Sequence, residues 1–256
     1  MTKYNTSAKA PERVTVIGAP VSAVNMDKAL DFVNRAFESL RGGYICAANA
    51  HTSVIAREDP AYRAVQIGAV MNLPDGKPLE VLGKKRARAP MEKITGTHFM
   101  QYVLKDERFA GKKHYFYGTR AGDLEKLIPA LRRDYPHLQI CGWEPSVFRE
   151  LTDEEVESLA ARVREAEADF LWVALGAPRQ ERLMFRLQKK TASLMVGVGG
   201  AFHILAGTMA DAPEWMQRMG LEWFFRLCHE PRRLLPRYLV SNTKFIFYAL
   251  RDKRDV

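Results

Sequence analysis

The chain has 256 residues, 47% of them hydrophobic and 27% charged, and its 39 Lys and Arg against 30 Asp and Glu leave a net charge of +9. That length buries a sizeable core and suits one α/β domain with an appendage, since two full domains would each be small. Three cysteines, Cys46, Cys141 and Cys228, exclude a disulfide framework and lack metal-ligand spacing, no segment approaches the ~20 apolar residues of a membrane span, and the first ten residues lack a leader's apolar core. The expectation is a protein of a reducing cytosol, soluble or resting on a surface.

In chain order, Arg13–Gly18 reads as a short strand. Asn25 caps a helix from Met26 to Leu40, where Ala29, Phe32, Val33, Ala36, Phe37 and Leu40 share one face. A strand over Tyr44–Ala48, a helix around Ser53–Ala64, the apolar run Ile67–Met71, a basic loop and a helix over Thr97–Lys105 follow. Next come a strand at Lys113–Tyr117, a helix at Gly122–Asp134 and a strand at Leu138–Cys141. The capping box Thr152-Asp-Glu-Glu155 opens a helix to about Ala166. A strand over 169–175, a helix over 179–189 and a strand over Leu194–Val198 complete the series. Strands separated by helices of this length predict an α/β fold: a mostly parallel, Rossmann-like sheet flanked by helices. Residues 1–207 form that core. Residues 208–256, rich in Trp, Phe, Tyr, Leu and Arg and broken by Pro213, Pro231 and Pro236, read as a helical appendage ending in a helix over Tyr238–Ala249. Its Trp215 and Trp223 are expected to pack on the sheet. A chain cut near Gly207 is expected to keep a folded core.

Charge is concentrated in two blocks. Lys77–Lys93 holds six Lys/Arg against two Glu, and 231–254 holds seven against Asp252. Such blocks suit phosphates of a nucleotide, a nucleic acid or an anionic lipid leaflet, and equally suit a solvated face. Arginines interleaved with Phe224, Phe225, Leu234 and Leu235 also fit an interfacial helix.

Four apolar segments end in glycine-bearing polar residues: Leu73-Pro-Asp-Gly76, Tyr115-Phe-Tyr-Gly-Thr119, Leu175-Gly-Ala-Pro-Arg-Gln-Glu181 and Gly197-Val-Gly-Gly-Ala-Phe202. An open α/β sheet builds its ligand crevice at such strand ends, where helix N-terminal amides hold anions. Absences narrow the chemistry. There is no P-loop, no Gly-x-Ser-x-Gly and no Asp-x-Asp, Phe202 stands where a dinucleotide fingerprint needs glycine, and His51, His98 and His203 lack zinc spacing. One carboxylate stands out. Asp75 follows an apolar strand and precedes basic residues, as a transferase base near bound phosphate must, although a Pro-Asp-Gly turn alone also accounts for an aspartate there. Lys93, Arg86 or a nearby arginine would stabilise a departing diphosphate.

Asn49, Leu-Pro-Asp-Gly76, Ile94-Thr-Gly-Thr97, Tyr-Phe-Tyr-Gly118, the 175–181 and 197–202 motifs and Glu222-Trp-Phe-Phe-Arg226…Glu230-Pro-Arg-Arg233…Arg237-Tyr238 occur in this order. Together, from about Val14 to Tyr238, they resemble the WecG/TagA/CpsF glycosyltransferases, glycosyltransferase family 26. The resemblance implies an inverting, metal-independent enzyme of bacterial surface or exopolysaccharide biosynthesis, working at the cytoplasmic face of the inner membrane. It would move a sugar from a UDP-sugar to a polyprenyl-diphosphate-linked acceptor, with no cofactor and no nucleic-acid partner. By the same resemblance Asp75 is the base and Asn49 and Gln180 line the active site. Lys93, Thr97, Gly118, Gly176, Pro178, Glu181, Gly199 and Gly200 contact substrate, and Arg226, Arg233 and Arg237 approach the diphosphates. The chain departs from the pattern at Ala47 (Thr in the family), Lys93 (Arg), His98 (Asp), His203 (Asp) and Asp211 (Arg). Lys93 keeps the charge and loses the bidentate fork. The donor sugar, the acceptor sugar and self-association into a homo-oligomer stay open. The rival reading is a basic, non-catalytic nucleic-acid-binding α/β protein, under which most glycine and carboxylate motifs would have no task.

Overall fold

A computed structural model describes residues 9–147 and 149–252; Lys253, Arg254 and the side chain of Arg233, all in the second basic block, lie outside the described residues. The chain opens with a hairpin, β1 (Arg13–Val16) and β2 (Ala19–Ser22), paired antiparallel. The strand expected over Arg13–Gly18 therefore stops at Val16, where Ile17 and Gly18 take positive φ (45° and 100°) to turn the chain.

Helix α1 (Met26–Leu40) begins where Asn25 accepts a bond from the Lys28 amide (3.0 Å). After β3 (Tyr44–Ala48), the single helix expected over Ser53–Ala64 is two, α2 (Ala50–Glu58) and α3 (Pro60–Gly68). Pro60 has no N–H to continue α2 and disfavours helical backbone at Asp59, whose carboxylate instead caps α3 through the Ala61 and Tyr62 amides (2.9 and 3.2 Å). Consequently the run Ile67–Met71 divides between the end of α3 and the start of β4 (Met71–Pro74). The basic loop holds a further helix, α4 (Lys77–Lys84), whose buried Glu80 is clasped by Lys77 and Lys84 at 2.9 and 2.6 Å.

There follow α5 (Gly96–Lys105), β5 (Lys113–Gly118), α6 (Ala121–Asp134), β6 (Gln139–Glu144), α7 (Asp153–Glu165), β7 (Phe170–Ala174), α8 (Arg179–Leu187), β8 (Leu194–Gly197) and α9 (Ala201–Leu205). Beyond them lie α10 (Glu214–Met219), α11 (Glu222–His229) and α12 (Pro231–Arg251), the last beginning well before the expected Tyr238 and running through Pro236.

β3 to β8 form one fully parallel sheet in the order β4-β3-β8-β7-β5-β6. One face packs on α1, α5, α6 and α9 around Phe99, Phe116 and Trp172, and the other on α2, α3, α7 and α8 around Tyr62, Leu171 and Met184. Crossovers toward β4 use the second face and those toward β6 the first, so all share one hand. Helices therefore alternate sides along the row of strand ends, which opens a crevice there.

A third cluster lies under the hairpin, where Val14, Val16, Val21, Val54 and Leu79 receive Phe245 of α12. The distal half of α12 is thus part of the core. Removing it would uncover this cluster, a cost that a chain cut near Gly207 would bear. In the proximal appendage Met216 is buried, whereas Trp215 (58%) and Trp223 (44%) are exposed, not packed on the sheet.

Candidate active site

The register pairing Ala48 with Pro74 brings the ends of β3 and β4 level, so the next residues, Asn49 and Asp75, lie side by side. The Asp75 amide donates to the carbonyls of Ala48 (2.8 Å) and Leu73 (2.9 Å), and Gly76, at φ 107°, swings the chain into α4. That turn leaves the Asp75 carboxylate at the strand end. Asn49 is the N-cap of α2, its Oδ1 accepting from the Thr52 amide (3.1 Å) while its side-chain amide donates to Asp75. Oriented at both ends, Asn49 holds Asp75 in place.

The segment before α5 closes the next side, the Ile94 amide donating to the Pro74 carbonyl (2.9 Å). Lys93 reaches across to α10 and α11, bonding the Gln217 carbonyl (2.7 Å) and pairing closely with Glu222. Glu222 and Arg226 sit one turn apart on α11, and both act on Asp75. Burial raises the Asp75 pKa above the ordinary carboxylate value, outweighing the opposing pull of Arg226, Asn49 and Lys93, while Glu222 adds to the rise. A half-buried carboxylate with a raised pKa, faced by an arginine, is equipped to take a proton from a hydroxyl beside a phosphate.

The turns after β7 and β8 meet through Gln180. Its Oε1 accepts from the amides of Gly176 and Gly199, both at 3.0 Å, and its Nε2 donates to Glu181 (2.9 Å). Gln180 is thus a clamp between two strand ends, its polar atoms occupied within the protein. Glu181 is fully buried, and desolvation lifts its pKa to about 7 against the pull of Gln180, Tyr62 and Arg237. Gly176 and Gly200 open onto free space, whereas a Cβ on Gly118 would come within 2.5 Å of the Ala174 carbonyl oxygen. Gly118 therefore serves close strand approach, and Gly176 and Gly200 the open crevice. Pro178, after a cis peptide bond, precedes α8, and Thr97 is buried in the first turn of α5, whose end abuts Val198.

Arg226 reaches Asp75, and Arg237 faces His51 and Glu181. Arg86 does not join them. Its guanidinium donates to the Thr15 carbonyl and pairs with Asp252 (3.6 Å), away from the diphosphate role that its place in the basic block suggests. His51 bonds Ser241 of α12 (2.8 Å) and is held neutral by burial and Arg237, its pKa near 4. His98 faces Asp211 (3.9 Å), so the two positions that depart from the resembled Asp and Arg stand opposite each other. His203 meets Thr119 (3.3 Å) and Asp123 (3.8 Å) at the end of β5. Glu222 carried no role in the sequence reading. Its spacing of four from Arg226 was the available signal, but the Lys93 partner lies 129 residues away. Among the described residues no group of His, Cys, Asp or Glu is gathered to hold a metal ion.

A doubly wound parallel sheet with an acceptor carboxylate, arginines and open glycine turns at its strand ends defines an α/β group-transfer enzyme. The family model of the "Glycosyl transferase WecG/TagA/CpsF family" matches residues 14–256, and the chain belongs to that family of glycosyltransferases. It is similar to an "N-acetylglucosaminyldiphosphoundecaprenol N-acetyl-beta-D-mannosaminyltransferase" of Bacillus spizizenii, 27% identical over 84% of this chain and 81% of the relative. A protein of the same description from Bacillus subtilis is 24% identical over 94% of this chain and 92% of the relative. The non-catalytic, nucleic-acid-binding alternative gives way to an enzyme.

Proposed function

We propose that this enzyme moves a sugar from a UDP-sugar to a polyprenyl-diphosphate-linked sugar in one inverting displacement, without metal, at the cytoplasmic membrane surface. The observation that carries this reading is Asp75, held by Asn49 at a strand end and facing Lys93, Glu222 and Arg226. The acceptor hydroxyl attacks the anomeric carbon, its proton passes to the Asp75 carboxylate, and the anomeric C–O bond to UDP breaks as the new one forms. One displacement inverts the anomeric centre. Charge growing on the leaving diphosphate is met by Arg226 and Arg237, while Gln180 keeps the Gly176 and Gly199 turns in register beneath it. The names of the Bacillus relatives make N-acetylmannosamine on N-acetylglucosaminyl-diphospholipid the first donor and acceptor to try.

The test is UDP release from a panel of UDP-sugars with a short-chain lipid-diphosphate acceptor, with and without EDTA. Acceptor-dependent release that survives chelation, with the product anomer opposite to the donor's, supports the reading. Release restored only by Mg²⁺ or Mn²⁺ would overturn its metal-free part, and no release with any UDP-sugar its donor class.

A further inference from the structure

A second concavity lies away from Asp75, between α3, α8 and the loop that follows β6. It holds about 310 Å3, in the range of small-ligand sites. Its floor is Tyr62, Val65 and Leu183, with Phe185 at the lip, and four arginines, Arg149, Arg179, Arg182 and Arg186, stand around it. Three of those charges are already neutralised. Arg149 pairs with Glu155 (2.5 Å), Arg182 with Asp59 (3.0 Å) and more distantly Glu150 (3.9 Å), and Arg186 with Asp153 (2.7 Å). Arg179 has no carboxylate partner among the described residues; its guanidinium makes only a long bond, 3.4 Å, to the Arg149 carbonyl. Tyr62, Val65 and Leu183 are buried beneath the cavity, and the apolar side chains it leaves accessible are Leu151, Leu175 and Phe185.

An apolar floor of this size beside one uncommitted guanidinium defines a ligand by its chemistry. We propose that this cavity binds a small amphipathic anion, its apolar body on Leu151, Leu175 and Phe185 above the buried Tyr62, Val65 and Leu183, and its acidic head group on Arg179. A sulfonate, phosphate or carboxylate head satisfies Arg179 through two N–H donors, and the body removes apolar surface from water. A neutral ligand of the same shape would leave the charge unmet. Asp75 does not line this cavity, but Tyr117, Leu175 and Arg179 do, beside the Gly118 and Gly176 turns, and Tyr62 bonds Glu181 on its inner side.

The test uses the full-length protein and anilinonaphthalene sulfonate as a fluorescent probe, displaced by decanoate, decyl phosphate or decanol. Two variants at partly or fully exposed positions leave the core untouched: Arg179→Gln removes the head-group partner and Ala61→Trp fills the mouth. A saturable site of one probe per chain is expected, weakened about tenfold or more by Arg179→Gln and abolished by Ala61→Trp. Decanoate or decyl phosphate should displace the probe about tenfold better than decanol, and the better of the two identifies a carboxylate or a phosphate head. Binding unchanged in both variants, or decanol competing equally, would overturn the proposal. Sedimentation showing a dimer dispersed by the same two changes would also overturn it, because the occupant would then be a second copy of the chain.

Discussion

Two carboxylates, the half-buried Asp75 and the fully buried Glu181, have pKa values displaced upward by the same cause, desolvation, and their consequences differ. Asp75 must be ionised to act as base. Its raised pKa therefore places the acid limb of kcat/KM above the ordinary aspartate value, with activity falling as pH drops through it. Asp75→Asn keeps the shape and removes the proton acceptor, so turnover should fall about 10² to 10⁴-fold while UDP affinity, read by calorimetry, stays near wild type. Wild-type turnover in this variant would reduce Asp75 to a turn residue. Glu181 faces Gln180, Tyr62, Arg237 and Cys46, and its folded-state pKa near 7 exceeds the unfolded value of 4.5. Folding thus favours its protonated form, a stability fully present below the unfolded value and lost as pH rises through 7. For a fully buried group the loss is about 3 kcal/mol. Melting temperature should decline between about pH 4.5 and 7, the window between the unfolded and folded values, and Glu181→Gln should flatten that decline; an unchanged slope would place the ionisation elsewhere.

At the scale of elements, α12 joins what composition alone separates. Phe245 enters the cluster under the hairpin, Ser241 bonds His51, and Lys244 and Tyr248 both reach Glu58 (2.9 and 2.7 Å). Phe245→Ala should cost about 3 to 5 kcal/mol, measured by denaturant unfolding. A chain ending at Gly207 should melt well below the full-length protein; equal melting would make α12 detachable. The parallel strands were legible because strands covered on both faces are nearly continuous apolar runs, as Phe170–Ala174 is. The crevice was legible for a related reason, since glycine and polar residues interrupt those runs at Asp75, Gly118, Gly176 and Gly199. What escaped reading depended on pairings that composition does not assign. α4 reads as a charged loop until Lys77 and Lys84 are seen to close on Glu80, and β2, carrying Pro20, reads as nothing until β1 pairs with it. Gln180 is expected to line the active site, and the placement of the Gly176 and Gly199 amides adds that its Oε1 joins the two turns.

At the scale of the whole molecule, no helix among the described residues is long and apolar enough to cross a membrane, yet large apolar side chains are exposed along the appendage. Trp215, Trp223 and Phe224 lie on α10 and α11, and Leu235, Leu239 and Val240 on α12, interspersed with basic residues of a chain that carries +9 overall. Aromatic side chains entering the lipid boundary and basic groups meeting phosphate, at roughly 1 kcal/mol per basic residue near an anionic surface, suffice for reversible binding. Full-length protein should therefore sediment with anionic vesicles at low salt, less at high salt, and little with zwitterionic ones. Trp223 and Phe224 share α11 with Arg226, which acts on Asp75, so docking that helix through its aromatics would also position the charge. Changing both aromatics to alanine should then weaken vesicle binding and raise KM for a long-chain lipid acceptor together, leaving UDP affinity and turnover of a short-chain, water-soluble acceptor near wild type. If the double variant sedimented like wild type, α11 would not be the docking element. If it lost short-chain turnover equally, the aromatics would be supporting Arg226 from within the protein rather than from the membrane.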